Sequence, residues 1–315
     1  MAYYLDPKND LTFKRVFGEH KHLCKSLLNS MLPLDESQQI ADLEYQTGEL
    51  LPEIDALRHS IVDVRCTDVQ GRQFIVEMQM YWSESFKSRV LLNASKAYVM
   101  QLDRAEKYEY LQPVYALSFV NDIFEKSPEM RDEYYHHYKI VNIKDTRKQI
   151  KGLEFIFIEL KKFAARNRAE KKLKDLWLRY LTEINEATSH ISPDLMENRE
   201  ISEAVKYVEV GTYTKAQLLA YDRLRDGILT EISVLSDAEQ KGMKKGMEMG
   251  MEMGMEMGIE EGRKEGIEKG MEKSRKTIAA SCLKKGMSPE DIRELTGLTI
   301  DEILALQDNN NPGGN

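Results

Sequence analysis

The sequence has few of the residues that stabilise small extracellular proteins. Its 315 residues include only three cysteines, Cys24, Cys66 and Cys282, which are far apart and form no Cys-x-x-Cys pair. This spacing argues against a disulfide framework and a structural zinc site, and it favours a reduced, cytoplasmic protein. The first residues, MAYYLDPKND, have neither a basic stretch nor an apolar core, so we expect no secretion signal.

Long apolar runs and an excess of positive charge are also absent. No uninterrupted apolar run approaches the roughly 20 residues that a membrane span needs, so we expect no membrane partner. The formal net charge is −8, whereas non-specific nucleic-acid binders are usually basic. A bound metal ion supplies positive charge locally, so the acidic balance does not exclude a nuclease. No Walker A sequence is present, so we expect no nucleotide cofactor.

Two strands joined by a tight turn are predicted in one segment, SIVDVRCTDVQGRQFIVEMQM (60–80). Gly71 suits the position of positive φ in a three-residue hairpin loop. With Gly71 at that position, the register places Asp63 opposite Glu77 on the neighbouring strand. The same register places Ile61 opposite Gln79.

The two faces of this hairpin differ in character. Side chains alternate with period two, so one face carries Asp63, Glu77 and Gln79. The other face is apolar and is expected to be buried: Val62, Val64, Cys66, Phe74, Val76 and Met78. Facing carboxylates destabilise a sheet unless they splay into water, are neutralised by an arginine such as Arg65, or bind a cation. An oxygen-rich cup suits Mg²⁺, and the backbone carbonyl of Met78 is a further ligand candidate.

The pattern D-(x)13-E-x-Q, formed by Asp63, Glu77 and Gln79, resembles the PD-(D/E)XK nuclease superfamily. More narrowly, it resembles the recombination-promoting nuclease type, often called PD-(D/E)XK nuclease family transposases. Similar segments extend over nearly the whole chain: DPKNDLTFKRVFG (6–18), GRQFIVEMQM (71–80), YEYLQPVYAL (108–117), and a carboxyl-terminal glycine repeat followed by T-G-L.

The resemblance implies an α/β fold with a restriction-endonuclease-like mixed sheet flanked by helices. It implies a metal-dependent DNA endonuclease linked to recombination or transposition, in which Asp63 and Glu77 hold Mg²⁺ or Mn²⁺. Gln79 replaces the usual lysine of the superfamily; glutamine supplies no positive charge, but it could orient the attacking water. Two alternatives stay open: a weakly active or inactive nuclease-fold scaffold that binds DNA or protein partners through its helical tail, and a nuclease that acts on RNA.

Hydrophobic periodicity predicts the elements around the hairpin. They are amphipathic helices at 10–31, 86–108 and 173–187, and strands at 40–45, 113–120, 134–143 and 153–160. Asn9 or Asp10 is expected to cap the first helix. His136 and His137 are adjacent on a predicted strand, so they point to opposite faces, and we expect both at the surface.

Cations near these elements are candidates for contacts with DNA phosphates. Lys14 and Arg15 lie on the first helix, and Arg89 either meets a phosphate or pairs with Glu84. The most basic window, KKFAARNRAEKKLK (161–174), is either a solvated helical face or a footprint of the DNA backbone. Its candidate contacts are Lys161, Lys162, Arg166 and Arg168.

Five segments are predicted along the chain. They are a nuclease core (1–160), a helical extension (161–240), a glycine-repeat helix or linker (241–274), a three-helix unit like a helix-turn-helix (275–307) and a disordered tail (308–315). Glycine occupies every fourth position from Gly242 to Gly270, which suits either a semi-flexible linker or a helix that pairs closely with another helix. The second and third helices of the terminal unit are acidic, which favours protein contact over reading of bases. We therefore expect a homo-oligomer formed through the repeat or the terminal unit.

Overall fold

The computed structural model describes residues 4–46, 49–50, 60–61, 63–102, 107–164 and 172–308. The strands form one six-stranded sheet and one two-stranded ladder. They are β1 (Leu43–Tyr45), β2 (Glu49–Leu50), β3 (Ser60–Ile61), β4 (Val64–Asp68), β5 (Gln73–Gln79), β6 (Val114–Val120), β7 (Tyr135–Asn142) and β8 (Asp145–Glu159).

The larger sheet is mixed, as the resemblance implies, and has the strand order β1-β4-β5-β6-β8-β7. Its central strands β5, β6 and β8 run parallel, whereas β1, β4 and β7 run antiparallel to their neighbours. Every residue of β6 is buried. This is typical of a central strand that is covered on both faces.

Helices cover both faces of the sheet. The helices that the structure describes are α1 (Asp10–Phe13), α2 (Lys21–Met31), α3 (Glu84–Val99), α4 (Leu160–Ala164), α5 (Leu173–Glu183), α6 (Pro193–Glu197), α7 (Arg199–Tyr207), α8 (Lys215–Lys284), α9 (Pro289–Thr296) and α10 (Ile300–Asp308). The larger core joins one sheet face to α1, α2, α5 and α7 through buried side chains such as Phe17, Phe74 and Trp177. On the other face, α3 packs Phe86 and Val90 into a second core that includes Ile75.

The predicted register of the hairpin is confirmed along the whole length of β4. Gly71 has a φ of 83°, and Val64 pairs with Val76. Beyond Val64 the prediction is wrong, because Ile61 pairs with Glu49 in the small ladder and not with Gln79. The reason lies at Asp63, whose side chain accepts a hydrogen bond from the backbone N–H of Met78 on β5. In a longer β4, a backbone carbonyl would accept that hydrogen bond instead.

The helix predicted at 10–31 is interrupted, although its apolar stripe continues through the break. Asn9 caps α1, as expected, by accepting from the Leu11 N–H. A π-helical turn, Lys14–Gly18, follows α1, and His20 then adopts an extended conformation before α2 begins. The His20 ring bonds back to this turn, because its Nδ1 donates to the Arg15 carbonyl at 2.8 Å.

Two further boundaries differ from the predictions. Helix α3 ends at Val99 rather than at residue 108. Leu91 and Leu102, which helical spacing predicts to face the sheet, are 51 % and 40 % exposed. Strand β8 begins at Asp145 rather than near Leu153, because its first half pairs only with β7.

The chain divides into two compact units, residues 1–233 and 234–315. Helix α8 contains the whole glycine repeat, so the repeat is helical, and no new helix begins at Arg275. In the second unit, Gly286 with a φ of 76° follows α8, and Ser288 caps α9 as predicted. Among the described residues, no helix is both long and apolar enough to cross a bilayer.

Candidate active site

Asp63 stands directly before β4, where the ladder between β4 and β5 ends. Its Oδ2 atom accepts a hydrogen bond of 2.6 Å from the backbone N–H of Met78. Because the N–H and C=O of one strand residue point to the same side, the Met78 carbonyl faces this side of β5 too. The Asp63 carboxylate therefore lies beside the segment that carries Glu77 and Gln79.

Glu77 lies on β5, and its side chain points to the face that α3 covers. Its Oε1 atom accepts a hydrogen bond of 2.9 Å from Asn93 Nδ2. Glu77 is 6 % exposed and Asn93 is 2 % exposed. Asn93 is not predicted from the sequence as a partner of Glu77. The one available signal is that Asn93 is a polar residue on the apolar face of the helix that carries Val90 and Ala94.

Burial dominates the electrostatics of both carboxylates. The pKa of Asp63 is raised to about 7, first by burial and then by the Asp10 carboxylate, while the Met78 N–H and Lys14 act in the opposite direction. The pKa of Glu77 is also raised by burial, which the Asn93 amide and Arg89 partly offset. Burial penalises both charged forms, so a bound cation would favour them.

The donor atoms at this position suit a hard divalent cation. Mg²⁺ accepts one or two carboxylates together with waters and substrate phosphate. The predicted ligands are the carboxylates of Asp63 and Glu77 and the backbone carbonyl of Met78. Clusters of three or more Asp, Glu, His or Cys side chains that could hold a metal are not found in the part of the chain that the structure describes. The fit therefore depends on these two carboxylates and one carbonyl.

Gln79 is anchored at both ends of its side-chain amide. Its Nε2 donates to the Tyr81 carbonyl at 2.7 Å, and its Oε1 accepts from Arg89 Nη2 at 2.5 Å. The expectation that Arg89 pairs with Glu84 is not met, since Glu84 Oε1 instead accepts from the Trp82 indole N–H. Arg89 is exposed, and α3 brings its positive charge to the side-chain amide of Gln79.

Lys14 is the second cation beside the carboxylates. Its Nζ lies 3.1 Å from Asp10 Oδ1 and 3.8 Å from Asp63 Oδ1. The Lys14 side chain is 41 % exposed. The first helix therefore borders the candidate site, and Lys14 remains accessible to an incoming anion.

Two of the other predicted DNA contacts, Arg15 and Lys161, bind groups within the protein. Arg15 donates to the Thr212 carbonyl and lies over the Tyr213 ring, with the guanidinium carbon 3.9 Å from the ring centroid. Lys161 is exposed and pairs with Asp122 at 2.9 Å. Arg166 and Arg168 lie outside the described residues.

Lys162 and His136 are buried, contrary to the sequence-based expectations for both. Lys162 is 8 % exposed and His136 is 5 % exposed. Both bind Glu159 Oε2, Lys162 at 2.6 Å and His136 at 2.8 Å, while the backbone N–H groups of Phe124 and Glu125 donate to Oε1. This burial removes Lys162 from the candidate phosphate contacts, because its ammonium group is used inside the fold.

Replacement of Lys162 tests this structural role. We expect Lys162→Ala to lower the free energy of unfolding by about 3 kcal/mol, because it leaves the buried Glu159 carboxylate without its nearest cation. The matched control is Lys161→Ala, whose exposed ion pair contributes less than about 1 kcal/mol. Urea unfolding measures both variants, and equal losses would contradict the assignment.

Comparisons with known proteins add one finding. The family described as PD-(D/E)XK nuclease family transposase matches residues 7–238. This range includes well over half of the chain, and it contains Asp63, Glu77, Gln79 and Arg89. No curated protein and no solved structure matches.

Proposed function

Since the chain belongs to the PD-(D/E)XK nuclease family transposases, we propose that it is a metal-dependent DNA endonuclease that acts in recombination or transposition. The observation that carries the proposal is the hydrogen bond from the Met78 N–H to Asp63. This bond holds one buried carboxylate beside the strand that supplies the other, Glu77. The substrate is DNA, and the bond hydrolysed is a phosphodiester.

In this proposal Asp63, Glu77 and the Met78 carbonyl hold Mg²⁺ or Mn²⁺. Such an ion, when bound, lowers the pKa of a water molecule and offsets the charge that develops on the phosphate. Asn93 orients Glu77 by donating to Oε1, which leaves Oε2 available as a ligand. The Met78 N–H orients Asp63 through Oδ2 in the same way and leaves Oδ1 available.

Arg89 takes the part of the missing lysine in our proposal. Glutamine can neither carry positive charge nor act as a base. Gln79 instead fixes one guanidinium nitrogen of Arg89, and the remaining N–H donors can bind the phosphate oxygens. Gln79 is then a positioning residue, and Arg89 stabilises the negative charge of the transition state.

Lys14 and Lys161 are the remaining candidates for contacts with the DNA backbone. Lys14 is partly exposed and Lys161 is exposed, and the nearest carboxylates are those of Asp10 and Asp122, at 3.1 Å and 2.9 Å. Exposed ion pairs of this kind are worth little, so a phosphate can compete for either lysine.

We also propose that the glycine repeat of α8 pairs with a second copy of the chain. Glycine costs a helix about 1 kcal/mol relative to alanine, so a solitary helix of this composition is marginal. The methionines from Met247 to Met257 are all exposed, and their flexible side chains suit an adaptable packing surface.

A catalytically inactive scaffold is the second candidate function. The observation in its favour is that both ends of the Gln79 amide are already bonded within the protein. A scaffold would bind DNA without hydrolysing it and would need no metal ion.

A plasmid assay distinguishes the two functions. We expect the purified chain to nick or linearise supercoiled plasmid in Mg²⁺ or Mn²⁺ and to leave it intact in EDTA, because the ion supplies the nucleophilic water. A protein that binds the plasmid in both conditions and cleaves it in neither would be the scaffold.

A further inference from the structure

Strands β7 and β8 continue past the end of the sheet as a two-stranded arm, residues 139–151, which we name the ribbon. Strand β6 pairs with β8 only from Leu153 onward, so the ribbon has no neighbouring strand on the β6 side. Its residues are exposed, except for Asp145, which is half-buried. The exposed side chain at its tip, Ile143, has 96 % of its surface accessible.

A bulge changes the direction of the chain at the base of the ribbon. Lys139 pairs with Glu154, but the next residue, Ile140, pairs with Ile150, so three residues of β8 have no partner on β7. Gly152 lies within this bulge with a φ of 153°. Bulges of this kind are used to redirect a strand, often next to functional surfaces.

The ribbon is strongly basic within an acidic protein. It carries five cations, Lys139, Lys144, Arg147, Lys148 and Lys151, and one carboxylate, Asp145, whereas the whole chain has a net charge of −8. Lys139 and Arg147 have carboxylate partners, at 3.4 Å and 2.9 Å. Lys144, Lys148 and Lys151 form no ion pair with any residue that the structure describes.

We propose that the ribbon is a DNA-binding arm that contacts the phosphates bordering a groove of duplex DNA. A two-stranded β-ribbon fits the major groove. The lysines of β8 and of the turn would meet phosphates beside the groove, and phosphate contacts supply most of the affinity of non-specific binding. The exposed Ile140, Ile143 and Ile150 would meet apolar base edges such as the thymine methyl group.

The ribbon is remote from the carboxylates, so its effect on binding can be separated from catalysis. Glu77 is level with Ser118 on β6, which is level with Phe157 on β8. Lys148 precedes Phe157 along β8 by a stretch of roughly 20–30 Å, which corresponds to about six to nine base pairs of duplex. The ribbon therefore lies at the opposite end of the sheet from Gln79.

The test compares two triple variants of the full chain. Lys144→Gln/Lys148→Gln/Lys151→Gln removes three ribbon charges, and the control Lys21→Gln/Lys206→Gln/Lys215→Gln removes three charges from exposed positions outside the ribbon, the candidate site and the glycine repeat. Binding to a duplex of about 30 base pairs is followed by fluorescence anisotropy in EDTA over a range of salt. We expect the ribbon variant to bind about tenfold more weakly at low salt and to lower the salt-dependence slope by about 3, while the control variant matches wild type.

The inference rests on the proposed function only for the identity of the partner, DNA. Equal binding by wild type and the ribbon variant would overturn it and leave the lysines as residues that keep an edge strand from pairing. Ribbon-dependent binding without any Mg²⁺-dependent cleavage would support the arm and overturn the nuclease proposal. A photo-crosslinking amino acid at Ile143 should label the duplex; labelling of a second copy of the chain instead would overturn the inference.

Discussion

Asp63→Asn is expected to abolish metal-dependent cleavage and, at the same time, to stabilise the metal-free protein. Loss of one of the two carboxylates removes a charged ligand, so we expect cleavage to fall by at least about 10³-fold. The asparagine carbonyl can still accept the Met78 hydrogen bond, and its amide can donate to Asp10. The variant therefore keeps the local geometry and loses only the charge.

The stabilisation follows from the raised pKa of Asp63. In the unfolded chain this carboxyl has an ordinary pKa near 3.8, whereas in the fold its pKa is about 7. The contribution of Asp63 to stability is therefore fully present below the unfolded pKa, and it is lost as the pH rises through the folded pKa. The asparagine of the variant does not titrate, so at about pH 8 we expect the variant to be more stable than wild type by about 2 kcal/mol.

Thermal melting in EDTA, from about pH 4 to about pH 8, measures how the stability of wild type and of Asp63→Asn changes with pH. The matched control is Asp42→Asn, an exposed carboxylate, which we expect to leave the melting temperature unchanged at every pH. Added Mg²⁺ should raise the melting temperature of wild type and leave that of Asp63→Asn unchanged, because only the wild type binds the ion. A variant that melts below wild type at about pH 8 would contradict the electrostatic assignment.

Arg89→Ala is expected to lower the rate of cleavage by about 10²- to 10³-fold, the usual cost of removing one charge-stabilising donor from a transition state. Gln79 orients the Arg89 guanidinium by accepting its hydrogen bond. Glutamine carries no positive charge, so Gln79 cannot replace the charge that the variant loses. Because Arg89 is not among the proposed metal ligands, Mn²⁺ binding should remain close to that of wild type. We therefore expect the variant to cleave bound DNA more slowly, while the metal site is filled to the same extent as in wild type.

Conservative replacement separates the charge of Arg89 from its size. Arg89→Lys should recover part of the rate, since lysine keeps the positive charge but not the planar pair of donors. Lys87→Ala is the matched control, because Lys87 is an exposed cation on the same helix that lies over aromatic rings. If Arg89→Ala and Lys87→Ala lower the rate equally, Arg89 has no special role at the site.

The hairpin was predictable because its information is local. Gly71 selects the turn, the turn selects the register, and the register brings Asp63 next to the strand that carries Glu77. The central strand β6 was predictable for a similar reason, since seven consecutive residues suited to a buried strand need no information from the rest of the chain.

The partners of the carboxylates were not predictable because they come from other elements. Asn93 reaches Glu77, and Arg89 reaches Gln79, only after α3 has packed against the sheet. Hydrophobic spacing gives the buried face of α3, but it does not give the depth at which a polar side chain on that face meets β5.

The burial of charged side chains was also not predictable from the sequence. Lys162 begins the most basic window of the sequence together with Lys161, and such windows usually form a solvated face or a phosphate contact. In the fold it is buried with His136 around the Glu159 carboxylate. The sequence gives no sign of this cluster, because His136 on β7 meets Glu159 only through the pairing of β7 with β8.

The central claim is that Asp63 and Glu77 together support metal-dependent hydrolysis of DNA. One measurement tests it most directly: wild type and Asp63→Asn are incubated with the same supercoiled plasmid in Mg²⁺, with EDTA as the blank. The account predicts nicked or linear product from wild type in Mg²⁺ alone and none from the variant. Cleavage by Asp63→Asn at the wild-type rate, or by wild type in EDTA, would contradict it.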